Sequence, residues 1–294
     1  MIWPLANFIT IHDVHRDTLR KVRTRISAEL IAYFKDGLYT NVATTIGYPH
    51  LGRRYVRISI EADLAQNLHN ISRKPTLHTG TNLQALIDAQ NTPSLPNTRI
   101  VLVLSNRKNA RGLLRASNAS PPIPTAHLSL PAFFKSNPGK SRDEYDLEIA
   151  RLVLRAKPDA VVCAGWMHIL GEGFLDVLKG ARALDGEVVV LPREVPVINI
   201  HPALFGQFDG AGAVERGFEA FQKGEVDKLG VMVHRVIKEV DRGKPLIERV
   251  VEVVKGEAID AYEERLHKVE WEVIVEATRI VLDEVKPPLS CDGV

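Results

Sequence analysis

Three polar residues at the ends of predicted strands have side chains that can hold an oxyanion and move a proton. Asn199 and His201 lie at the end of the apolar run VINI, and Asp241 follows the run VHRVIKEV. An amide can donate a hydrogen bond to an oxyanion, an imidazole can move a proton, and a carboxylate can fix the charge of that imidazole. Taken alone, a histidine before proline and an Asp-Arg-Gly turn are more often structural, so both interpretations stay open.

A second candidate is an anion site at the start of a predicted helix. Gly80, Thr81 and Asn82 directly precede the helical pattern LQALIDA. The free backbone N–H groups at a helix start and the helix dipole both attract phosphate or carboxylate. The more common alternative is a simple helix cap, in which a Thr or Asn side chain accepts a backbone N–H.

Other residues with reactive or aromatic side chains have structural interpretations. His234 lies inside a strand pattern, which favours a hydrogen-bonded core histidine, and Cys163 within VVCAG is predicted as a small core residue. Trp166 and Met167 fit a core position and a ligand-lining surface equally well. The sequence contains no plausible metal-ligand cluster, nucleophile elbow, Walker loop or dinucleotide fingerprint.

Composition argues against several classes of protein. The 294 residues carry 38 Lys and Arg against 36 Asp and Glu, a net charge of +2, so charge alone does not indicate a nucleic-acid partner. No apolar run approaches the roughly 18 to 20 residues of a membrane span, and the first residues do not follow a signal-peptide pattern. Cys163 and Cys291 lie too far apart in the sequence for a CxxC clamp. We therefore expect small-molecule substrates, no membrane partner and a reducing, cytoplasmic compartment, with the oligomeric state left open.

The elements that must position these residues begin at about residue 80, where short apolar strands alternate with helical patterns. This alternation predicts an α/β fold with a Rossmann-like, mostly parallel sheet and helices on both faces. Predicted strands cover residues 99–105, 159–165, 197–201, 230–236 and 245–254, and predicted helices cover residues 81–90, 143–156, 172–178, 214–221 and 258–285. In such sheets ligands bind at the carboxyl ends of the strands, which is where the candidate residues lie.

The first 78 residues differ from the rest of the chain. They contain one amphipathic helix candidate, residues 19–34, and one possible strand, residues 55–60, without a sustained period between them. We predict an atypical N-terminal extension over residues 1–78 and a catalytic domain over residues 79–294.

Seven motifs, in this order, carry a resemblance to a known family: GTNLQALIDA, SNRKNARGL, SRDEYD, PDAVVCAGWMHIL, INIHPAL, VHRVIKEVDRGKPL and RLHKVEWEV. Together they resemble the phosphoribosylglycinamide formyltransferases of purine biosynthesis, most of all the fungal members, over residues 80–285. The resemblance implies transfer of a formyl group from 10-formyltetrahydrofolate to the amine of N1-(5-phosphoribosyl)glycinamide. It also implies that the folate is a co-substrate and that no metal takes part.

The resemblance assigns roles to individual residues. Asn199 and a protonated His201 would hold the formyl oxygen, while Asp241 would keep His201 charged and help to relay the amine proton. The implied phosphoribosylglycinamide site consists of Gly80, Thr81, Asn82, His267, Lys268 and Glu270. The implied folate site consists of Arg142, Met167, His168, Ile169, Leu170, Ile237, Lys238, Glu239 and Val240.

Three features depart from the family pattern. His168 stands where many relatives have Arg, and Phe205 stands where a proline is expected after HPAL. The segment NLHNISRKPTLHT precedes GTN where the family has an apolar strand and a glycine-rich loop, and proline with two charges argues against a buried strand there. We hypothesise that residues 1 to about 78 are a replaced N-terminus. Residues 55–60 are a possible substitute for the missing strand, although nearly twenty residues separate them from GTN.

Two alternative functions stay open at this point. One is a relative that acts on another formyl acceptor or on water, such as a formyltetrahydrofolate deformylase or a methionyl-tRNA formyltransferase. The other is a catalytically inactive folate-binding protein, because a missing central strand would leave the sheet edge open.

Overall fold

The computed structural model describes residues 56–61, 80–184, 191 and 193–285. Within these residues, no helix combines the length and the apolar character needed to cross a membrane. The helix candidate at residues 19–34 lies outside the described residues. The division predicted at residue 78 stays a prediction.

Seven strands of the described residues form one mixed sheet: β1 (Val56–Glu61), β2 (Thr98–Ser105), β3 (Thr125–His127), β4 (Ala160–Cys163), β5 (Val197–His201), β6 (Leu229–Arg235) and β7 (Pro245–Val251). Their order across the sheet is β3-β2-β1-β4-β5-β6-β7. Strands β1 to β5 pair in parallel, whereas β6 pairs antiparallel with β5 and with β7. The predicted Rossmann-like, mostly parallel sheet is confirmed.

The possible strand at residues 55–60 is confirmed as β1, which lies at the centre of the sheet between β2 and β4. In the parallel register Ile58 pairs with Ala160 of β4, and Ile60 pairs with Val103 of β2. This strand therefore occupies the central position that the segment directly before GTN could not fill.

Seven helices of the described residues accompany the sheet: α1 (Thr81–Ala89), α2 (Arg111–Asn118), α3 (Leu130–Ser136), α4 (Arg142–Arg155), α5 (Glu172–Leu178), α6 (Ala213–Lys223) and α7 (Ile259–Val285). Helix α4 begins with a capping box, in which the Ser141 hydroxyl accepts the Glu144 N–H and the Glu144 carboxylate accepts the Ser141 N–H. The five helices predicted from residue 81 onward are all present. The short elements α2, β3 and α3 were not predicted.

The core divides into two apolar clusters, because successive residues of a strand point to opposite faces of the sheet. Val103 of β2 and Val162 of β4 pack in one cluster with helices α1 and α7. Their neighbours Leu104 and Val161 pack in the other cluster with α4 and α5. Helices therefore cover both faces, as the sequence predicts, and the polar candidate residues lie at the strand ends.

Candidate active site

The strand pair β5 and β6 positions the first group of polar side chains. Asn199 and His201 lie two residues apart on β5 and therefore point to the same face of the sheet. Because β6 runs antiparallel to β5, Asn199 pairs directly with His234. Asp241 lies in the connection between β6 and β7 with φ of 55°, a left-handed conformation that aspartate tolerates better than most residues. The turn brings its carboxylate back over β5.

Asp241 is the centre of a cluster formed by Asn199, His201, His234 and Asp241, all of them buried except Asn199, which is half-buried. We call it the catalytic cluster after the role that the sequence analysis predicts for three of these residues. Asp241 Oδ2 accepts the Gly210 N–H at 2.8 Å and lies 3.4 Å from His201 Nδ1. Asp241 Oδ1 lies 3.3 Å from His234 Nε2 and 3.4 Å from Asn199 Nδ2. The structure thus brings together the three residues that the sequence analysis selected as catalytic.

The charges in the catalytic cluster are set by burial and by these contacts. Burial alone raises the pKa of Asp241, but its hydrogen bond with His234, the charge of His201 and the Gly210 N–H outweigh burial and lower that pKa to about 2. Burial also lowers the pKa of His201, and the nearby Asp241 carboxylate reverses this lowering only in part. In the free protein Asp241 is therefore ionised and His201 is neutral near pH 7. This differs from the expectation that Asp241 keeps His201 protonated.

The orientation of His201 indicates what a neutral imidazole can do here. His201 Nδ1 faces the Asp241 carboxylate, which can only accept a hydrogen bond when it is ionised. The other ring nitrogen, Nε2, is buried and has no hydrogen-bond partner among the described residues. With the proton on Nδ1, the lone pair of Nε2 is available to take a proton from a bound ligand.

The start of α1 has the geometry of an anion site. Gly80 occupies the cap position of α1 with φ of 76°, a conformation that glycine adopts without strain. Because Gly80 has no side chain and Thr81 is already helical, the alternative of a Thr or Asn cap is not realised. A ligand anion at this position can accept hydrogen bonds from the first turn of α1.

Helix α7 brings a buried carboxylate to the first turn of α1. Asn82 Nδ2 lies 3.4 Å from Glu270 Oε2, and His267 Nδ1 lies 2.9 Å from the same oxygen. Burial lowers the pKa of His267, but the hydrogen bond and charge of Glu270, helped by Glu263, raise it overall. The structure therefore joins Asn82, His267 and Glu270, while Lys268 is exposed on the same helix.

Two loops at the carboxyl ends of β4 and β6 expose apolar side chains. Met167 and Ile169 in the β4 loop, residues 167–170, are 52% and 60% exposed. Ile237 and Val240 in the β6 loop, residues 237–240, are also exposed. Lys238 Nζ of the β6 loop lies 2.7 Å from Glu172 Oε1 at the start of α5, so the two loops are neighbours. Exposed apolar side chains gathered at strand ends are typical of a ligand-binding surface.

The comparison with known families decides the classification of the chain. The sequence model described as "Formyl transferase", Formyl_trans_N, matches residues 76–278. The chain belongs to the formyl transferase family.

Individual relatives support the same classification. The chain is 41% identical over 210 residues to phosphoribosylglycinamide formyltransferase of Schizosaccharomyces pombe, an alignment that covers 71% of this chain and 95% of the relative. It is 40% identical over 218 residues to the protein of the same name from Saccharomyces cerevisiae, covering 70% of this chain and 94% of that one.

Solved structures of the family have the same fold. Glycinamide ribonucleotide transformylase 1 from Symbiobacterium toebii superposes with a TM-score of 0.60 at 26% identity, covering 81% of this chain and 92% of that chain. The transformylase 1 from Geobacillus kaustophilus gives a TM-score of 0.58 at 29% identity, covering 77% and 98%.

In this formyl transferase, the residue that departs from the family pattern in the β4 loop is a neutral aromatic group. The His168 ring packs beside Tyr145 and Trp166, with ring centroids 5.7 Å and 6.1 Å away. Burial, and then the charge of Arg142, lower the pKa of His168. Its Nδ1 lies 3.0 Å from Asn106 Nδ2, so the uncharged ring can accept that hydrogen bond. His168 therefore supplies packing where an arginine would supply charge.

The cluster around Asp241 also contains a residue that the sequence analysis assigned to the core and not to the site. His234 is 2% exposed, and its Nδ1 lies 2.9 Å from the Arg235 carbonyl oxygen while its Nε2 faces Asp241. The prediction of a buried, hydrogen-bonded histidine is confirmed, but its partner is a residue of the catalytic cluster. The signal that could have found it is the antiparallel pairing of β5 and β6, which places His234 beside Asn199.

Two further expectations can be compared with the structure. Cys163 is buried in β4, as predicted. Of the two residues with open interpretations, Trp166 is buried and Met167 is on the surface. Among the described residues, no group of three or more His, Cys, Asp or Glu side chains is arranged to hold a metal ion.

Proposed function

We propose that this formyl transferase moves the formyl group of 10-formyltetrahydrofolate to the amine of N1-(5-phosphoribosyl)glycinamide, a step of purine biosynthesis. The observation that carries the proposal is the buried carboxylate of Asp241, which lies 3.4 Å both from the His201 imidazole and from the Asn199 amide. This arrangement supplies an oxyanion donor and a proton acceptor side by side, the two functions that formyl transfer to an amine requires.

The nucleotide substrate fits the side of the site formed by α1 and α7. Its phosphate would accept hydrogen bonds from the first turn of α1 after Gly80, where the helix dipole also favours negative charge. A protonated His267, held by Glu270 at 2.9 Å, adds a positive charge near the first turn of α1. The Glu270 carboxylate can accept hydrogen bonds from ribose hydroxyls.

The folate fits the side formed by the two apolar loops. Met167, Ile169, Ile237 and Val240 present apolar surface on which a flat pterin and benzoyl group can pack. Because the β6 loop ends at Asp241, a folate on these loops would present its formyl group to the catalytic cluster.

The reaction follows from the charges of the free site. The substrate amine attacks the formyl carbon, so a C–N bond forms and the formyl oxygen becomes negative. Asn199 Nδ2 donates a hydrogen bond to that oxygen, and His201 Nε2 takes the proton that the attacking nitrogen loses. Asp241 stabilises the resulting imidazolium. His201 then returns the proton to the folate nitrogen as its C–N bond breaks, releasing tetrahydrofolate and the formylated nucleotide.

The proposal includes no metal ion, because Asn199 and His201 themselves supply the oxyanion donor and the proton acceptor. It also includes only small-molecule substrates, with neither nucleic acid nor membrane as a partner. A cytoplasmic location belongs to the same proposal and is tested by cell fractionation.

A formyl-transfer assay on the full 294-residue chain tests this function. The purified protein is mixed with 10-formyltetrahydrofolate with and without the ribonucleotide, and release of the deformylated folate is followed by absorbance. We expect release only when the ribonucleotide is present, and its loss in His201→Ala. Release without the ribonucleotide would instead indicate a deformylase, in which His201 activates water. Folate binding without any release would indicate an inactive folate-binding protein.

A further inference from the structure

We propose that Asp146 is a positioning residue for the folate, because together with Arg142 it clamps the β4 loop in the conformation that exposes Met167 and Ile169. The inference rests on the proposed function, since the ligand of this loop is the folate of that reaction. Asp146 itself does not touch the substrate in this proposal. It acts by fixing the backbone on which the folate-binding side chains stand.

Asp146 contacts both the backbone at the end of the β4 loop and Arg142, which itself binds the loop. Its side chain is 3% exposed, and Oδ1 accepts a hydrogen bond from Arg142 Nε at 3.0 Å. Asp146 Oδ2 accepts the backbone N–H of Gly171, directly after the loop, at 3.1 Å. Arg142 Nη2 in turn donates to the carbonyl of Ile169, inside the loop, at 2.5 Å. One buried carboxylate thus restrains the backbone of Gly171 directly and that of Ile169 through Arg142.

Gly171, directly after the loop, has no side chain that would block its contact with Asp146. Gly171 has φ of −72°, which any residue can adopt, so backbone conformation does not require glycine here. A Cβ atom on Gly171 would lie 2.6 Å from Asp146 Oδ2, too close for any real contact. The absence of a side chain at position 171 therefore allows the carboxylate to approach the backbone N–H.

A restraint is needed because this loop exposes apolar groups between buried ones. Met167 and Ile169 are exposed, while Trp166 and Leu170 on either side are 7% and 6% exposed. Turning an exposed apolar side chain inward is favourable in water, so an unrestrained loop would tend to bury these surfaces. Hydrogen bonds at Ile169 and Gly171 oppose that rearrangement and keep the surface open for a ligand.

The chain contains a matched control for the clamp on the same helix. Asp143, three residues before Asp146, pairs with Arg182 at 2.6 Å and 2.9 Å. A Cβ on Gly173 would lie 2.2 Å from Asp143 Oδ1, so this contact also depends on a glycine. The contact of Asp143 with Arg182 beside Gly173 joins α4 to the α5 region. Among the described residues it includes no hydrogen bond to the β4 loop.

The experiment compares Asp146→Asn and Gly171→Ala with Asp143→Asn and Gly173→Ala in the full chain. Steady-state kinetics give KM for 10-formyltetrahydrofolate, KM for the ribonucleotide, and kcat. For the two clamp variants we expect the folate KM to rise by about tenfold or more, as for the loss of a charge-assisted hydrogen bond, with the ribonucleotide KM and kcat within about threefold of wild type. For the two control variants we expect all three parameters within about threefold.

Hydrogen exchange of peptides covering residues 165–171 gives a second readout that does not depend on activity. We expect faster exchange of this segment in both clamp variants than in both control variants. If Asp146→Asn does not fold, Gly171→Ala, which keeps the carboxylate, decides the question. An unchanged folate KM, or both KM values rising together with a lower melting temperature, would overturn the positioning role. If the wild-type chain transfers no formyl group, the proposed function fails. Hydrogen exchange of residues 165–171 then tests the clamp by itself, and exchange as slow in the clamp variants as in the controls would overturn it.

Discussion

Replacing Asp241 by Asn should lower kcat by about 70- to 4,000-fold without disturbing the fold. Asparagine keeps the shape of the side chain and can still accept the Gly210 N–H, but it removes the negative charge that lies 3.4 Å from His201 Nδ1. At an effective dielectric constant of about 20, that charge stabilises a full imidazolium by about 5 kcal/mol and a half-formed one by about 2.5 kcal/mol. About 1.4 kcal/mol is a factor of ten in rate, which gives the two limits.

The pH profile of the same variant gives a sharper test of the mechanism. Ionised Asp241 raises the pKa of His201, so its removal should lower that pKa further. The acid limb of kcat/KM, where His201 becomes protonated and no longer acts as a base, should therefore move to lower pH in Asp241→Asn. Because the pKa of Asp241 in the wild type is about 2, this carboxylate adds no limb of its own in the usual assay range.

The assay is formyl transfer, at saturating concentrations of both substrates for kcat and at subsaturating concentrations for kcat/KM, with circular dichroism as the check on folding. As a control, Glu276→Gln removes a carboxylate that pairs with Arg249 on the surface, where both side chains are about half exposed. It should leave kcat within about twofold. A folded Asp241→Asn protein that keeps more than about a third of wild-type kcat, or whose acid limb moves to higher pH, would refute the electrostatic role of Asp241.

Three further predictions test other parts of the molecule. Asn199→Ala removes the proposed oxyanion donor and should lower the single-turnover rate constant by about 100- to 1,000-fold. Folate affinity, measured by titration, should be unchanged, and a loss confined to affinity would contradict this role. Glu270→Gln removes the charge that raises the pKa of His267, so the rise in ribonucleotide KM with increasing pH should begin at lower pH, and an unshifted profile would argue against His267 as a phosphate ligand. Phe174 is fully buried, and Phe174→Ala should lower the free energy of unfolding in urea by about 3 to 5 kcal/mol; a loss below about 1 kcal/mol would show that the core repacks.

Most of the fold could be predicted because its strands and long helices carry strong patterns. Strands β2, β4 and β5 are short apolar runs buried on both faces, which is the pattern of a parallel sheet covered by helices. The elements that were not predicted are short: α2 has eight residues, β3 has three and α3 has seven, lengths at which a periodic pattern is weak. Strand β1 was recognised as a possible substitute for the missing central strand, but its place was left open because about twenty residues separate it from GTN.

The residues of the site could be predicted only where a strand end marks them. Asn199 and His201 end a parallel strand, where the rule for open sheets places ligands. Asp241 follows β6, which runs antiparallel to β5, so that rule alone does not bring it to the same edge of the sheet. His234 lies inside β6, and a strand pattern does not reveal which side chain from a distant turn will contact it. Asp146 lies on α4, where its spacing shows only a helical position, and its contact with Gly171 depends on how α4 packs against α5.

The charge state of the catalytic cluster could not be predicted from the sequence, because it depends on how one carboxylate is shared. Asp241 faces four donors, namely the Gly210 N–H, the Asn199 amide, His234 and His201. These donors hold the pKa of Asp241 low. The Asp241 charge does not fully offset the effect of burial on His201, so the pKa of His201 is lowered as well. The free site therefore contains an ionised carboxylate beside a neutral base. Uptake of the amine proton by His201 turns this pair into a carboxylate and an imidazolium, so the fixed negative charge stabilises the transition state more than the free site.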